Sequence, residues 1–248
     1  MRNYGVIGFP LSHSFSPEYF KQKFLKENIE ATYVAFPIED LNQIRLLVKE
    51  KNLGGFNVTI PYKEKIVSLL DSLSDEAKEI GAVNCVKVES DPQDSEKNKL
   101  IGFNTDAYGF QVALNEMMKS KHENALVLGL GGAARAVKYV FKKSGINFKS
   151  VVRDKSKGDL LWNEVTEKII SENSLIINCT PLGMFPNEKS FPPIPYSAIT
   201  EKHLLFDLVY NPSETLFMKN GKERGATVSN GLSMLELQAD KSWEIWNK

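Results

Sequence analysis

Apolar residues follow two rhythms along this chain: short solid runs, and longer stretches where they recur at every third or fourth position. The first reads as buried strands, the second as helices with one inward face. In the first half the two alternate. Tyr4 to Pro10 forms a short strand. Ser16-Pro17-Glu18 opens a helix, with serine as N-cap, proline at the first helical position and an acid near the positive end of the dipole; Phe20 and Phe24 continue it. Residues 31–36 read as a strand and 39–51 as a helix with Leu41, Ile44 and Val48 inward. A strand over 55–60 and a helix from Lys63 to about Leu73 come next. Strands over 84–88 and 100–104 are joined by the polar run 90–98, which predicts a solvated hairpin loop.

After Asp106 a helical pattern (Phe110, Val112, Leu114, Met117, Met118) leads to the tract Ala125-Leu-Val-Leu-Gly-Leu-Gly-Gly-Ala-Ala-Arg135. Its apolar run ends in Gly129-Leu130-Gly131-Gly132-Ala133, and Ala136, Val137, Val140 and Phe141 follow at helical spacing. That is a strand, a tight glycine turn and a helix N-terminus, where bare N–H groups and the helix dipole would meet a pyrophosphate. A close strand–helix junction is the plainer alternative. Strands expected over 126–128, 150–152, 175–178, 204–208 and 226–229 alternate with helices, implying parallel strands covered on both faces. Residues 234–246 are helical again, carrying Leu235, Trp243 and Trp246. The reading is α/β throughout, with a Rossmann-type dinucleotide-binding domain in the second half. Because that module begins near mid-chain, the substrate-selecting chemistry is expected in residues 1 to roughly 105.

Composition acts here by exclusion. With 248 residues, 42% hydrophobic and 25% charged, the chain can bury two modest cores. Lys plus Arg equals Asp plus Glu at 31 each, so no overall field gathers nucleic acid or an anionic membrane. No segment resembles a signal peptide or a membrane span. Cys85 and Cys179 sit at strand ends without a CxxC or Cys/His set; reduced, packing cysteines and a cytoplasmic location are the reading. His13, His122 and His203 are scattered, so no metal is expected, and His13 is read as a loop position near solvent.

Four clusters at the strand ends carry polar chemistry. Ser14 and Ser16 set two hydroxyls beside a helix N-terminus, suited equally to a small carboxylate and to plain capping. In Asn57-Val-Thr59-Ile-Pro61-Tyr-Lys63 the proline ends the strand, placing Thr59 and Lys63 at the mouth of the sheet. An isolated lysine there would be a solvated charge. Gly81-Ala-Val-Asn84 puts an asparagine at a strand start. Asn104-Thr105-Asp106 ends another strand and, taken alone, reads as a helix cap.

Taken in order with Ile177-Asn-Cys-Thr-Pro-Leu-Gly-Met184, Asp207-Leu-Val-Tyr210-Asn-Pro212 and Asn230-Gly-Leu-Ser-Met-Leu-Glu-Leu-Gln238, these tracts resemble the shikimate dehydrogenase family across nearly the whole chain. The resemblance implies NADPH-dependent reduction of 3-dehydroshikimate to shikimate, in the pathway to chorismate and the aromatic amino acids. It makes Lys63 and Asp106 the catalytic pair. Ser14 and Ser16 would hold the carboxylate, and Thr59, Asn84, Asp106 and Gln238 the ring hydroxyls, with Tyr210 also at the substrate. Gly129, Gly131, Gly132, Ala133, Arg153, Lys157, Asn178, Thr180, Val209 and Gly231 would face the cofactor. Using Gln238 requires the terminal helix to return to the first domain, with Trp243 and Trp246 as anchors and a substrate cleft between the lobes. The expected domains are 1–106 for substrate, 107–229 for NADP, and 230–248 as the returning helix; deleting residues 234–248 should abolish activity.

The chain departs from the family in places. Val152, Arg153, Asp154 and Lys157 fall where the NADP-binding form reads N-R-T-x-x-R. Arg153 favours NADP, while Asp154 leaves NAD open. Ser233 and Ala107 stand where glycine is usual, and the chain ends soon after Trp246, which reads as a shortened final helix. The rivals are an NAD-linked quinate/shikimate dehydrogenase and, from another class, a catalytically inactive ligand-binding regulator, which would be expected to lack the Lys63–Asp106 pair. The resemblance leaves monomer or homodimer open.

Overall fold

The structure is a computed structural model that describes residues 2–11, 14–90, 98–118 and 122–248. The positions of His13 and of most of the expected hairpin loop lie outside the described residues. The chain divides into two compact units, one of residues 1–108 with 238–248 and one of residues 109–237. Both boundaries fall inside helices.

In the first unit the order is β1 (Arg2–Gly8), α1 (Ser16–Glu27), β2 (Ala31–Pro37), α2 (Ile44–Lys51), β3 (Leu53–Val58), β4 (Ser72–Leu73), α3 (Asp75–Ile80), β5 (Cys85–Ser90), β6 (Asn98–Phe103) and the start of α4 (Asp106–Met117). The sheet order is β2-β1-β3-β5-β6-β4. Pairing is parallel from β2 to β3 and antiparallel through β3-β5-β6, so the sheet is mixed. Strand β1 reads as a solid apolar run because both of its faces are covered. Ile7 joins Ile44, Phe56, Val58 and Val86 in one core, while Tyr4 and Val6 join Phe20, Tyr33, Cys85 and Trp246 in another.

The expected helix from Lys63 to Leu73 does not form. A short 3₁₀ turn, Lys65–Leu69, gives way to β4, which adds in parallel to β6. Helix α3 follows, capped by Ser74 Oγ accepting from Ala77 N (3.1 Å) and closed by Gly81 at φ 69°. Edge pairing took residues that local periodicity assigned to a helix; α3 is six residues long, too short for periodicity to mark. Helix α2 likewise begins later than its apolar spacing suggests, because Asp40 caps a separate 3₁₀ turn, Leu41–Gln43. Strand β3 is displaced toward its N-terminal side: Leu53 already pairs with Asn3, and the chain turns at Thr59–Tyr62.

The second unit carries β7 (Asn124–Leu128), α5 (Gly132–Ser144), β8 (Asn147–Val152), β9 (Leu160–Leu161), α6 (Glu167–Glu172), β10 (Leu175–Asn178), β11 (Leu204–Asp207), α7 (Leu216–Lys222), β12 (Thr227–Ser229) and the start of α8 (Leu232–Trp246). All pairs are parallel, in the order β12-β11-β10-β7-β8-β9. This is the doubly wound arrangement, with its switch point between β7 and β10. Leu126, Ile176 and Leu205 pack under Ile170 and Phe217. Phe110 of α4 meets Phe141 and Phe206 edge-on, at 5.7 and 5.4 Å between ring centres.

The last turns of α8 belong to the first unit. Trp246 stacks on Tyr4 at 4.9 Å, and its indole Nε1 donates to Val86 O (2.9 Å). Gly55 makes this possible, because a Cβ there would collide with the Trp246 ring. Among the described residues no helix is long and apolar enough to cross a membrane.

Candidate active site

The polar centre of the first unit is assembled from four chain segments. After β3 the chain turns through Pro61, and Val83 N donates to Lys63 O (2.7 Å), fixing the lysine backbone beside the start of β5. Lys63 Nζ donates to Asp106 Oδ2 at 2.6 Å, with the two side chains 17% and 6% exposed. Asp106 is the first residue of α4 but does not cap it. Asn104 does so, accepting from Ala107 N (3.1 Å), which leaves the aspartate for other contacts. The other oxygen of Asp106 accepts from Asn84 Nδ2 (2.9 Å). Asn84 is itself held by Thr105 N, which donates to its Oδ1 at 2.6 Å. Gln238 of α8 brings its Oε1 to 3.1 Å from Asn84 Nδ2.

Lys63, Asn84, Asp106 and Gln238 thus converge, although they come from four separate tracts of sequence. A charge-assisted hydrogen bond of this length in a water-poor pocket is strong, and it uses one of three ammonium hydrogens. The rest are available to a ligand oxygen. Thr59 and Ser14 are half-buried in the same unit, outside this hydrogen-bonded cluster among the described contacts. Ser16 is not an N-cap. Phe15 is already helical (φ −65°, ψ −42°), so Ser16 lies inside the first turn, buried, with its hydroxyl bonded to that of Tyr33.

Sequence reasoning passed over Tyr33, Asn57 and Ser242, which line the buried side of this centre. The i, i+4 spacing of Gln238 and Ser242 on α8 was the available signal for the last.

In the second unit the chemistry is mostly backbone. Gly129, directly after β7, has φ +112° and would press a Cβ to 3.1 Å from Thr180 Cγ2. Gly131 is the N-cap of the 13-residue α5, with no side-chain cap, and a Cβ on it would meet nothing within 4 Å. Gly132 and Ala133 begin the helix, so open space stands over its uncapped N-terminus. The turn after β8 exposes Arg153 and Lys157. Asp154 between them accepts from Ser156 N (3.1 Å) and Ser156 Oγ (2.8 Å) and lies 3.4 Å from Lys157 Nζ. Hydrogen bonds from Ser156, then Lys157, hold its carboxyl below the usual range.

Asn178 and Thr180 shape the loop after β10. Asn178 Oδ1 accepts from Thr180 N and Oγ1 (3.0 and 2.6 Å), and its Nδ2 donates to Asp207 Oδ1 (2.9 Å). Asp207, also passed over in the sequence, accepts further from Val209 N (3.1 Å) and Thr215 Oγ1 (2.6 Å). Burial nevertheless pushes its carboxyl up to about 6. Gly231 N donates to Val209 O (3.2 Å), and a Cβ on Gly231 would collide with the Leu208 backbone. Tyr210 follows as a half-buried residue of this unit. Cys85 is buried and Cys179 half-buried, and loss of solvent disfavours ionisation of both thiols; Cys85 is pushed up to about 12.

Known proteins share this arrangement. A sequence model described as the shikimate dehydrogenase substrate binding domain matches residues 6–86. The shikimate dehydrogenase (NADP(+)) of Clostridium beijerinckii is 41% identical over 258 residues, covering 100% of this chain and 93% of its own. That of Methanococcus aeolicus is 38% identical, covering 98% of this chain and 90% of its own. The chain belongs to the shikimate dehydrogenase family. The family's shared frame extends to three dimensions. The Thermus thermophilus shikimate 5-dehydrogenase, solved in complex with NADP(H) and shikimate, superposes with a TM-score of 0.84 at 32% identity, over 99% of this chain and 93% of that one.

Proposed function

We propose that this chain is an NADP-dependent shikimate dehydrogenase, reversibly reducing 3-dehydroshikimate to shikimate, with Lys63 and Asp106 as the catalytic pair. The observation that carries the reading is the 2.6 Å Lys63–Asp106 contact, locked from its far side by Asn84. Reduction of a ketone builds negative charge on its oxygen, which calls for a cation or a proton donor at that atom. Lys63 supplies both. Asp106 aims the ammonium, and its buried position keeps water from competing for that contact.

The first unit is then the substrate domain. Ser14 and Ser16 serve the carboxylate; Thr59, Asn84 and Gln238 serve the ring hydroxyls. The second is the NADP domain, and its residues fit the role: open space over Gly131 and an uncapped α5 N-terminus suit a pyrophosphate. When bound, NADP(H) supplies or accepts the hydride. Gly129, Gly132 and Ala133 shape the turn, Asn178 and Thr180 set the loop after β10, and Val209, Tyr210 and Gly231 follow β11 and β12. Arg153 and Lys157 would hold the 2′-phosphate. Asp154 supports this preference, because its carboxylate is spent on Ser156 and Lys157 and not held out for a ribose hydroxyl.

The test is steady-state oxidation of shikimate with NADP and NAD in parallel and quinate as control substrate. Turnover with shikimate and NADP is expected. A clear preference for NAD would make Asp154 the ribose reader. No turnover from folded protein would favour a regulator that binds the same ligand.

A further inference from the structure

Behind the Lys63–Asp106 pair the side chains of Tyr33, Asn57, Ser242 and Thr105 form a buried hydrogen-bonded line, and counting its hydrogens fixes its direction. Tyr33 O–H donates to Asn57 Oδ1 (2.8 Å). The two amide hydrogens of Asn57 go to Asn84 O (3.0 Å) and Ser242 Oγ (2.8 Å). Ser242 has one hydrogen, and Gln238 O takes it at 2.9 Å. Thr105 Oγ1, 3.1 Å from Ser242 Oγ, must then be the donor of that contact. Its lone pairs are left to accept from Asn84 Nδ2 (2.9 Å). The Asn84 carbonyl is held by Thr105 N, and the remaining amide hydrogen of Asn84 lies between Asp106 Oδ1 (2.9 Å) and Gln238 Oε1 (3.1 Å). In this assignment the hydrogens of Tyr33, Asn57, Ser242 and Thr105 each have one acceptor, and the last Asn84 hydrogen is shared between two. The opposite assignment sends the Thr105 hydrogen to Gln238 Oε1 at 3.4 Å, a much poorer bond.

We propose that Ser242 is a positioning residue for the dehydrogenase reaction: by taking the Thr105 hydrogen it keeps that hydrogen off Gln238 Oε1 and fixes Thr105, whose N–H and hydroxyl oxygen hold the Asn84 amide against Asp106. The proposal rests on the function assigned above. Ser242 is fully buried and acts only through its neighbours. Without its hydroxyl, Asn57 has an orphaned hydrogen and Thr105 is free to turn toward Gln238. The Asn84 amide then loses its fixed neighbour, its hold on Asp106 Oδ1 loosens, and the ammonium that Asp106 aims loses its bearing.

The experiment compares wild type, S242A and Y33F in shikimate oxidation with saturating NADP, alongside thermal unfolding. S242A is expected to lose about ten-fold in kcat with KM within about two-fold, since misplacing a catalytic group slows chemistry more than binding. Y33F removes the first hydrogen of the line without changing side-chain shape, and should lower kcat about three-fold. It carries the test if S242A does not fold. Wild-type kcat in the folded variants, whatever their Tm, overturns the proposal, as does a rise in KM at unchanged kcat. Inactivity of the wild type itself would instead sink the assigned function, and this proposal with it.

Discussion

The two units build their candidate sites from different materials. In the first, side chains make up the candidate site: a lysine, an aspartate and a set of amides and hydroxyls hydrogen-bonded to one another. In the second, the backbone does most of it, through a glycine turn, an uncapped helix end and loops tied by Asn178 and Asp207. Even their buried carboxylates differ. Asp106 faces a cation, whereas neutral donors from Asn178, Val209 and Thr215 hold Asp207. A site made of side chains is open to damage by removal of an atom. A site made of backbone is open to damage by addition of one.

The largest effect should come from the first kind of damage. Lys63→Ala is expected to lower kcat by about 10²–10⁴-fold, with a far smaller change in KM, as loss of a general acid does. Steady-state kinetics would read it, and a near-normal kcat would remove the lysine from the chemistry.

The carboxylates sharpen the contrast through pH. Asp207 is raised from 3.8 to about 6, so folding favours its protonated form. That contribution is fully present below about pH 4 and disappears as the pH rises through about 6, a change of about 3 kcal/mol. Denaturation of the second unit followed across this range should show it, and D207N should flatten the slope even if it is less stable overall. A slope unchanged in D207N would mean another group titrates there.

The smallest effect tests the backbone site directly. Gly131→Ala adds a methyl to open space at a φ of −63°, so nothing is displaced and stability should fall by only about 0.5–1 kcal/mol, because alanine is a poorer N-cap than glycine. NADP binding, measured by titration calorimetry, should nonetheless weaken about ten-fold, because the methyl stands where the pyrophosphate approaches. Equal affinity would show that the phosphates take another path.

What could be seen in the sequence follows the same division. The glycine turn, the proline that ends β3 and the Asn-Thr-Asp tract are local signals, and each marks a strand end whatever the strand pairs with. The antiparallel hairpin of β5 and β6 was visible, but the antiparallel pairing of β5 with β3 was not, because the partner of β5 is a matter of pairing and not of pattern. Helix α3 was missed because its only marks are Ser74 and Gly81. The Tyr33–Asn57–Ser242 line was beyond reach for a stronger reason. Its Asn57–Ser242 bond joins residues 185 positions apart, and nothing near either one in the chain requires the other.

The seating of Trp246 against Gly55 bears on the order in which the molecule can be made. The second unit is one continuous stretch, complete when residue 237 has been synthesised. The first unit begins earlier in the chain yet lacks the indole that fills its core, and the Gln238 and Ser242 side chains, until residues 238–246 have left the ribosome. Domains ordinarily mature from the N-terminus during translation. Here the half that starts first is the last to receive all of its residues.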